Sequence, residues 1–256
     1  SLYHGSKTGF MALSKTQKLM NKKGEPQPRQ RLQQQDKSLF DLNPTEEQAM
    51  LREALQRFAQ DVIYPLAAQA DHDARFPQQL TLQAEELALN FYALPEQYDG
   101  VATQQSVISN VLIAEDLARG DFSLTAGLLS TFSVINAITH WGNSDIQNQY
   151  LKAFSQDSQL KATFATQENT PAFNPFKLQT TAEKVGDQYQ ITGEKTLVIL
   201  GKTADLFLVS ARLNGQSEIF VVERNESILV KESPAMGLKA AETVTLQFNQ
   251  TPAQRL

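Results

Sequence analysis

"TTAEKVGDQYQITGEKT", residues 180–196, decides how this chain is read. Alternation runs to Val185, Gly186 and Asp187 supply turn chemistry, and alternation resumes at Tyr189, which predicts a β-hairpin. Working outward, "KATFAT" (161–166), "LVIL" (197–200), "DLFLVSARL" (205–213), "EIFVVER" (218–224) and "VTLQF" (244–248) are further strand-length pieces. Asn214 and Gly215 mark a second hairpin turn. Residues 159–256 are therefore expected to form an antiparallel β domain, barrel- or sandwich-like.

Upstream the period changes from near two to near 3.6. Asn43 is placed to cap a helix and Pro44 suits its first position. Leu51, Leu55, Phe58, Val62 and Leu66 then mark one face, with a bend expected at Pro65. A second helix is predicted within 78–91, its stripe formed by Leu80, Ala84, Leu87 and Phe91. Two more follow over 104–119 and 122–141, and a fifth starts from an Asn143 or Ser144 cap. Residues 41–158 thus read as an all-α domain, and the chain as α+β with helices first.

The 256 residues carry a net charge of −5, unevenly placed. Residues 1–38 hold eight Lys or Arg and two Asp or Glu, so the first 40 residues read as a flexible basic arm before an acidic body. The arm lacks interleaved aromatics, so no nucleic-acid partner is expected. With no cysteine, thiolate catalysis and cysteine-ligated zinc are excluded. His4, His72 and His140 have no ligand spacing, so no metal is expected. No apolar run reaches the roughly 20 residues of a transmembrane helix, so none is predicted, and the expected location is cytoplasmic.

The order of elements and the residues themselves resemble the acyl-CoA dehydrogenases. "VLIAEDLARGDFSLTAGLLSTFSVINAITHWGNSDIQNQYLKAFSQ" (111–156) is similar to the family's paired helices and the turn that follows them. "TTAEKVGDQYQITGEKT" resembles its Gly-Asp hairpin and Asn-Gly-x-Lys segment. "EIFVVER" with "MGLKAAETVTLQFNQTPAQRL" (236–256) resembles its closing strands, most closely in the long- and very-long-chain branch.

That resemblance implies FAD-dependent oxidation of a fatty acyl-CoA to the trans-2-enoyl-CoA, with electrons passed to an electron-transfer flavoprotein. The family's catalytic glutamate lies in a C-terminal helical bundle. This chain stops at Leu256, where that bundle would begin, so the bundle is expected to be absent and no catalytic residue is assigned. A homo-oligomer or a partner is expected to cover the face so exposed.

For the flavin, the resemblance implies Thr163, Phe164, Ala165 and Thr166, with backbone groups reaching the pyrimidine edge. It also implies Leu197, Val198 and Ile199, which stand where the family has Trp-Ile-Thr. For the acyl chain it implies Thr125, Ala126, Leu129 and Ser133. In "ATQENTPAFNPF" (165–176) Thr166 is retained, while the family's Glu-Pro and Gly-Ser-Asp are missing.

An aromatic contact is worth about 0.5–1.5 kcal/mol beyond area and a neutral hydrogen bond about 1, so losing both weakens binding roughly ten- to a hundredfold. Flavin binding is expected to be weakened, not excluded. Without a flavin, Leu197, Val198 and Ile199 read simply as buried strand core. Two rival readings remain: a degenerate scaffold or partner subunit without catalysis, and an acyl-CoA or lipid binding module.

Overall fold

A computed structural model describes residues 45–101, 107–156, 160–233 and 235–256. The expected basic arm, with Asn43 and Pro44, lies outside them. The first helix among the described residues, α1 (Glu46–Phe58), is capped by Thr45, whose hydroxyl accepts from the Gln48 amide while the Gln48 side chain accepts from the Thr45 amide. This reciprocal pair is a capping box, and it sets the start of the helix at Glu46. The helix widens into a π segment, Ala59–Ile63, and continues as α2 (Tyr64–Asp73), with Pro65, which has no N–H to donate, directly after the wider turn.

Next come α3 (Gln78–Glu86), α4 (Val107–Ala118) and α5 (Phe122–Trp141). Three consecutive segments then run on as α6: Ser144–Ile146, Gln147–Leu151 and Lys152–Gln156. Asn143 caps α6 by accepting from the amides of Asp145 and Ile146. The helix expected over 78–91 is interrupted, because Ala88 takes a left-handed conformation and a 3-10 turn covers Leu89–Tyr92.

Leu51, Leu55 and Phe58 join Leu124, Phe132, Ile135 and Ile138 in one helical core. Fully buried Asp116 is tied to α1 by Arg52 Nε at 2.7 Å and Gln56 Nε2 at 2.9 Å. At 20 residues, α5 is long and apolar enough to cross a membrane by length and composition, contrary to the sequence expectation. Its serines, threonines and asparagine obscured the apolar run, and its inner face is spent on the protein core.

The β part comprises β1 (Ala162–Ala165), β2 (Thr181–Val185), β3 (Gln188–Val198), β4 (Leu206–Leu213), β5 (Gln216–Glu223), β6 (Ile228–Glu232) and β7 (Val244–Arg255). Pairings β4–β2, β2–β3, β3–β7, β7–β5 and β5–β4 close a ring, so the domain is a barrel. Both predicted turns form: Gly186 has φ 63°, and Asn214 and Gly215 have φ 50° and 85°.

The barrel departs from a purely antiparallel one because β1 runs parallel to β4, and β2 meets β4 in parallel at Thr181 and Arg212. The long 166–180 connection carries the chain across to make this possible. Strand β6 was not foreseen, because only Ile228 of its five residues is buried.

Strand β4 shows why its sequence is a continuous apolar run. Leu206 and Leu208 face the helical core, whereas Phe207, Val209 and Ala211 face the barrel interior. Both sides are covered, so polar alternation has no place there. Helices lead and a β-rich domain follows, as the change of period implies.

Candidate functional site

Strand β1 ends the strand order, so among the described residues no strand pairs with its other, open edge. Ala162 satisfies that edge on α5: its N–H donates to Thr131 Oγ1 at 3.0 Å, and Thr131 Oγ1 donates back to its carbonyl at 3.3 Å. Two residues on, the alternation of a parallel strand turns the N–H and C=O of Phe164 to the same open edge. Thr163 and Ala165 are buried, and Thr166 is half-buried just beyond the strand. Replacing Thr131 by Val should strand both groups of Ala162 and lower the unfolding free energy by about 1–3 kcal/mol in urea titrations.

The Thr166 carbonyl accepts from Lys195 Nζ at 3.2 Å and from Ser210 Oγ at 3.0 Å. Lys195 is fully buried and also donates to Glu168 Oε1 at 2.9 Å and Ser210 Oγ at 3.0 Å. Glu168, only 4% exposed, accepts from the amides of Gln179 at 2.8 Å and Thr180 at 2.9 Å. Burial works to raise the Glu168 carboxyl, but the Gln179 amide, the Lys195 ammonium and Thr180 outweigh it and hold it at about 2. Burial lowers Lys195 from the ordinary lysine value, and Glu168 opposes this in part. The Glu168 carboxyl is therefore ionised at neutral pH.

Gln167 stands where the family has its glutamate directly after Thr166. A glutamate stands one residue further on instead, and it is the counter-ion that anchors the 166–180 connection. Glu168 and Lys195 were missed as partners because 27 residues separate them. Gly193 near the same point has φ 147°, and an added Cβ would lie 2.7 Å from Thr180 Cα, so only glycine fits where β3 passes the connection.

The 197–199 segment differs from the buried strand expected. A bulge between Lys195 and Val198 opposes Thr196 and Leu197 to a single residue of β7. Leu197 takes φ 53° and is 41% exposed, Val198 is buried, and Ile199 is half-buried in a turn. The bulge turns Leu197 out of the sheet, so only Val198 is core. An extra residue in a strand reverses side-chain direction, which alternation alone cannot reveal.

On α5, Thr125, Leu129 and Ser133 recur every four residues and share one face, with Ala126 beside them. Thr125 is 3% exposed and its hydroxyl has no hydrogen-bond partner among the described residues; Ala126, Leu129 and Ser133 are half-buried. Val107 and Val111 of α4 and Phe122 of α5 are exposed apolar residues. A cavity of about 310 Å³ lies elsewhere, lined from α5 by Gly127, Leu128, Ser130 and Thr131, so the four expected acyl residues do not line it. Among the described residues no group of three or more acidic, histidine or cysteine side chains could hold a metal.

A helical domain docked on a closed barrel, with an open strand edge at the join, defines the class of protein. Residues 45–157 match the acyl-CoA dehydrogenase N-terminal domain and residues 162–251 the middle domain of the same family. The chain belongs to the acyl-CoA dehydrogenase family.

It is 28% identical over 219 residues to a probable medium-chain specific acyl-CoA dehydrogenase 2, mitochondrial, of Caenorhabditis briggsae, covering 82% of this chain and 52% of that one. Its fold is similar to butyryl-CoA dehydrogenase from Megasphaera elsdenii, with TM-score 0.73 and 23% identity over 84% of this chain and 58% of that one. It is also similar to an acyl-CoA dehydrogenase from Bacillus anthracis complexed with FAD, with TM-score 0.69 and 22% identity over 84% and 37%. The chain spans about half the length of the curated relatives it matches.

Proposed function

We propose that this chain is part of an FAD-dependent acyl-CoA dehydrogenase that converts an acyl-CoA thioester to the trans-2-enoyl-CoA. The observation that carries this reading is the open β1 edge, held at one end by Thr131 and at the other by the Lys195 contact to Thr166. An N–H and a C=O on one strand edge fit the donor and acceptor pattern of a flavin pyrimidine, so the backbone of Thr163–Thr166 would hold that end of FAD.

Bound FAD would supply the hydride acceptor. Leu197 would cover part of the ring, Val198 is held in the barrel core, and Ile199 offers no hydroxyl. Thr125, Ala126, Leu129 and Ser133 would face the acyl chain, and the buried Thr125 hydroxyl is the polar group there that still needs a partner. The catalytic base is not assigned to this chain. An electron-transfer flavoprotein would take the electrons, and a second copy or another subunit would cover Val107, Val111 and Phe122. The location would be cytoplasmic.

Likeness to the long-chain branch in the closing strands supports a long fatty acyl substrate, whereas relatives bear medium- and short-chain names. Titration with FAD, followed by flavin fluorescence and visible absorbance, should give saturable binding, and palmitoyl-CoA should then bind more tightly than butyryl-CoA. Absence of flavin binding would sink the reading, and a preference for butyryl-CoA would overturn its long-chain part. A non-catalytic scaffold is the second reading, favoured by Leu197, whose exposed side chain offers no aromatic plane.

A further inference from the structure

Lys195 and its partners lie where the end of β1 meets the bulge of β3. Lys195 Nζ donates to the Thr166 carbonyl at 3.2 Å, and Ser210 Oγ donates to the same oxygen at 3.0 Å. One residue along each segment, the Thr196 N–H donates to the Gln167 carbonyl at 2.8 Å. Thr196 belongs to the bulge that turns Leu197 outward. Two adjacent links thus fasten the end of β1 to the bulge. Glu168 secures them by accepting from Lys195 and from the amides of Gln179 and Thr180.

The first link also fixes a direction. Ser210 is on β4, so the Thr166 carbonyl is turned toward β4 and Lys195. The peptide that follows is trans, so its N–H, that of Gln167, points the opposite way. Away from β4 is also the side on which Phe164 is open. Gln167 is exposed, and its N–H meets no acceptor among the described residues. A carbonyl that accepts two hydrogen bonds polarises its own amide, which strengthens that N–H as a donor. Lys195 is fully buried, with its amine committed to Thr166, Glu168 and Ser210, so it acts on a ligand only through the backbone.

We propose that Lys195 is a positioning residue for the flavin: by holding the Thr166 carbonyl it aims the Gln167 N–H at a pyrimidine carbonyl and fixes that donor relative to Leu197. This role rests on the dehydrogenase reading, to which it adds the donor and the residue that aims it.

Glu168→Gln with Lys195→Met removes both members of the buried pair together, so neither is left unpaired, while Thr166 loses its amine donor. In the full chain, titration by flavin fluorescence should show FAD binding about tenfold weaker than in wild type, about 1.4 kcal/mol. The loss should appear although the double variant melts above either single one. Its bound FAD should also have a lower reduction potential, because a donor at the pyrimidine favours the negative charge gained there on reduction. A role confined to stability would move neither. If the double variant does not fold, Ser210→Ala serves: it keeps Lys195 and Glu168 paired and should weaken FAD roughly two- to tenfold. Wild-type affinity or an unchanged potential in the folded double variant, or wild-type affinity in Ser210→Ala, overturns this role alone. Absence of FAD binding to the wild-type chain overturns it together with the dehydrogenase reading.

Discussion

Glu168→Gln or Lys195→Met alone should lower the unfolding free energy by about 3–5 kcal/mol, a large share of the roughly 5–15 typical of a folded domain. Each leaves the other group buried without its partner: Lys195 is fully buried and Glu168 4% exposed. Glu168→Gln also turns an amide donor toward a site where two backbone amides and an ammonium all donate. The double variant Glu168→Gln with Lys195→Met should recover much of the loss, because neither buried charge remains. A double-mutant cycle in urea at pH 7 measures this; additive losses would show that the two groups act separately.

The same pair sets an acid limit. The folded Glu168 carboxyl lies at about 2, below the ordinary 4.5, so its stabilisation is complete above about 4.5 and is lost as pH falls toward 2. The melting temperature of the wild type should fall more steeply over that window than that of the double variant. Parallel curves would remove Glu168 from the account.

Leu197→Trp with Ile199→Thr should tighten FAD binding roughly ten- to a hundredfold, from an aromatic contact and a hydrogen bond together worth about 1.5–2.5 kcal/mol. Leu197 is turned outward by the bulge and 41% exposed, so a larger side chain there displaces no core packing. Both leucine and tryptophan carry the same disadvantage at φ 53°, so the backbone should not discriminate between them. Flavin fluorescence titration with a parallel melting curve decides it. Unchanged affinity in a folded variant would mean that this segment does not meet a flavin, and would favour the scaffold.

Much of the architecture was legible because it is local. Helix α5 was placed at 122–141, and both hairpin turns followed from Gly186, Asn214 and Gly215. The cap of α1 is Thr45, in a reciprocal pair with Gln48. The candidate site was less legible. Resemblance directed attention to Thr163–Thr166 and Leu197–Ile199, but not to Glu168, whose offset by one residue made it look lost.

By itself, then, the sequence determined where the period changes and most of the helices and strands, though not β6 or the break at Ala88, since a regular period depends on residues within a few positions of one another. Only the tertiary structure decided that β1 lies parallel to β4 with an open edge, that Lys195 finds Glu168 27 residues away, and that a bulge turns Leu197 outward. These depend on contacts between distant segments, and a buried charge or an extra residue in a strand takes its meaning from whatever the fold brings against it.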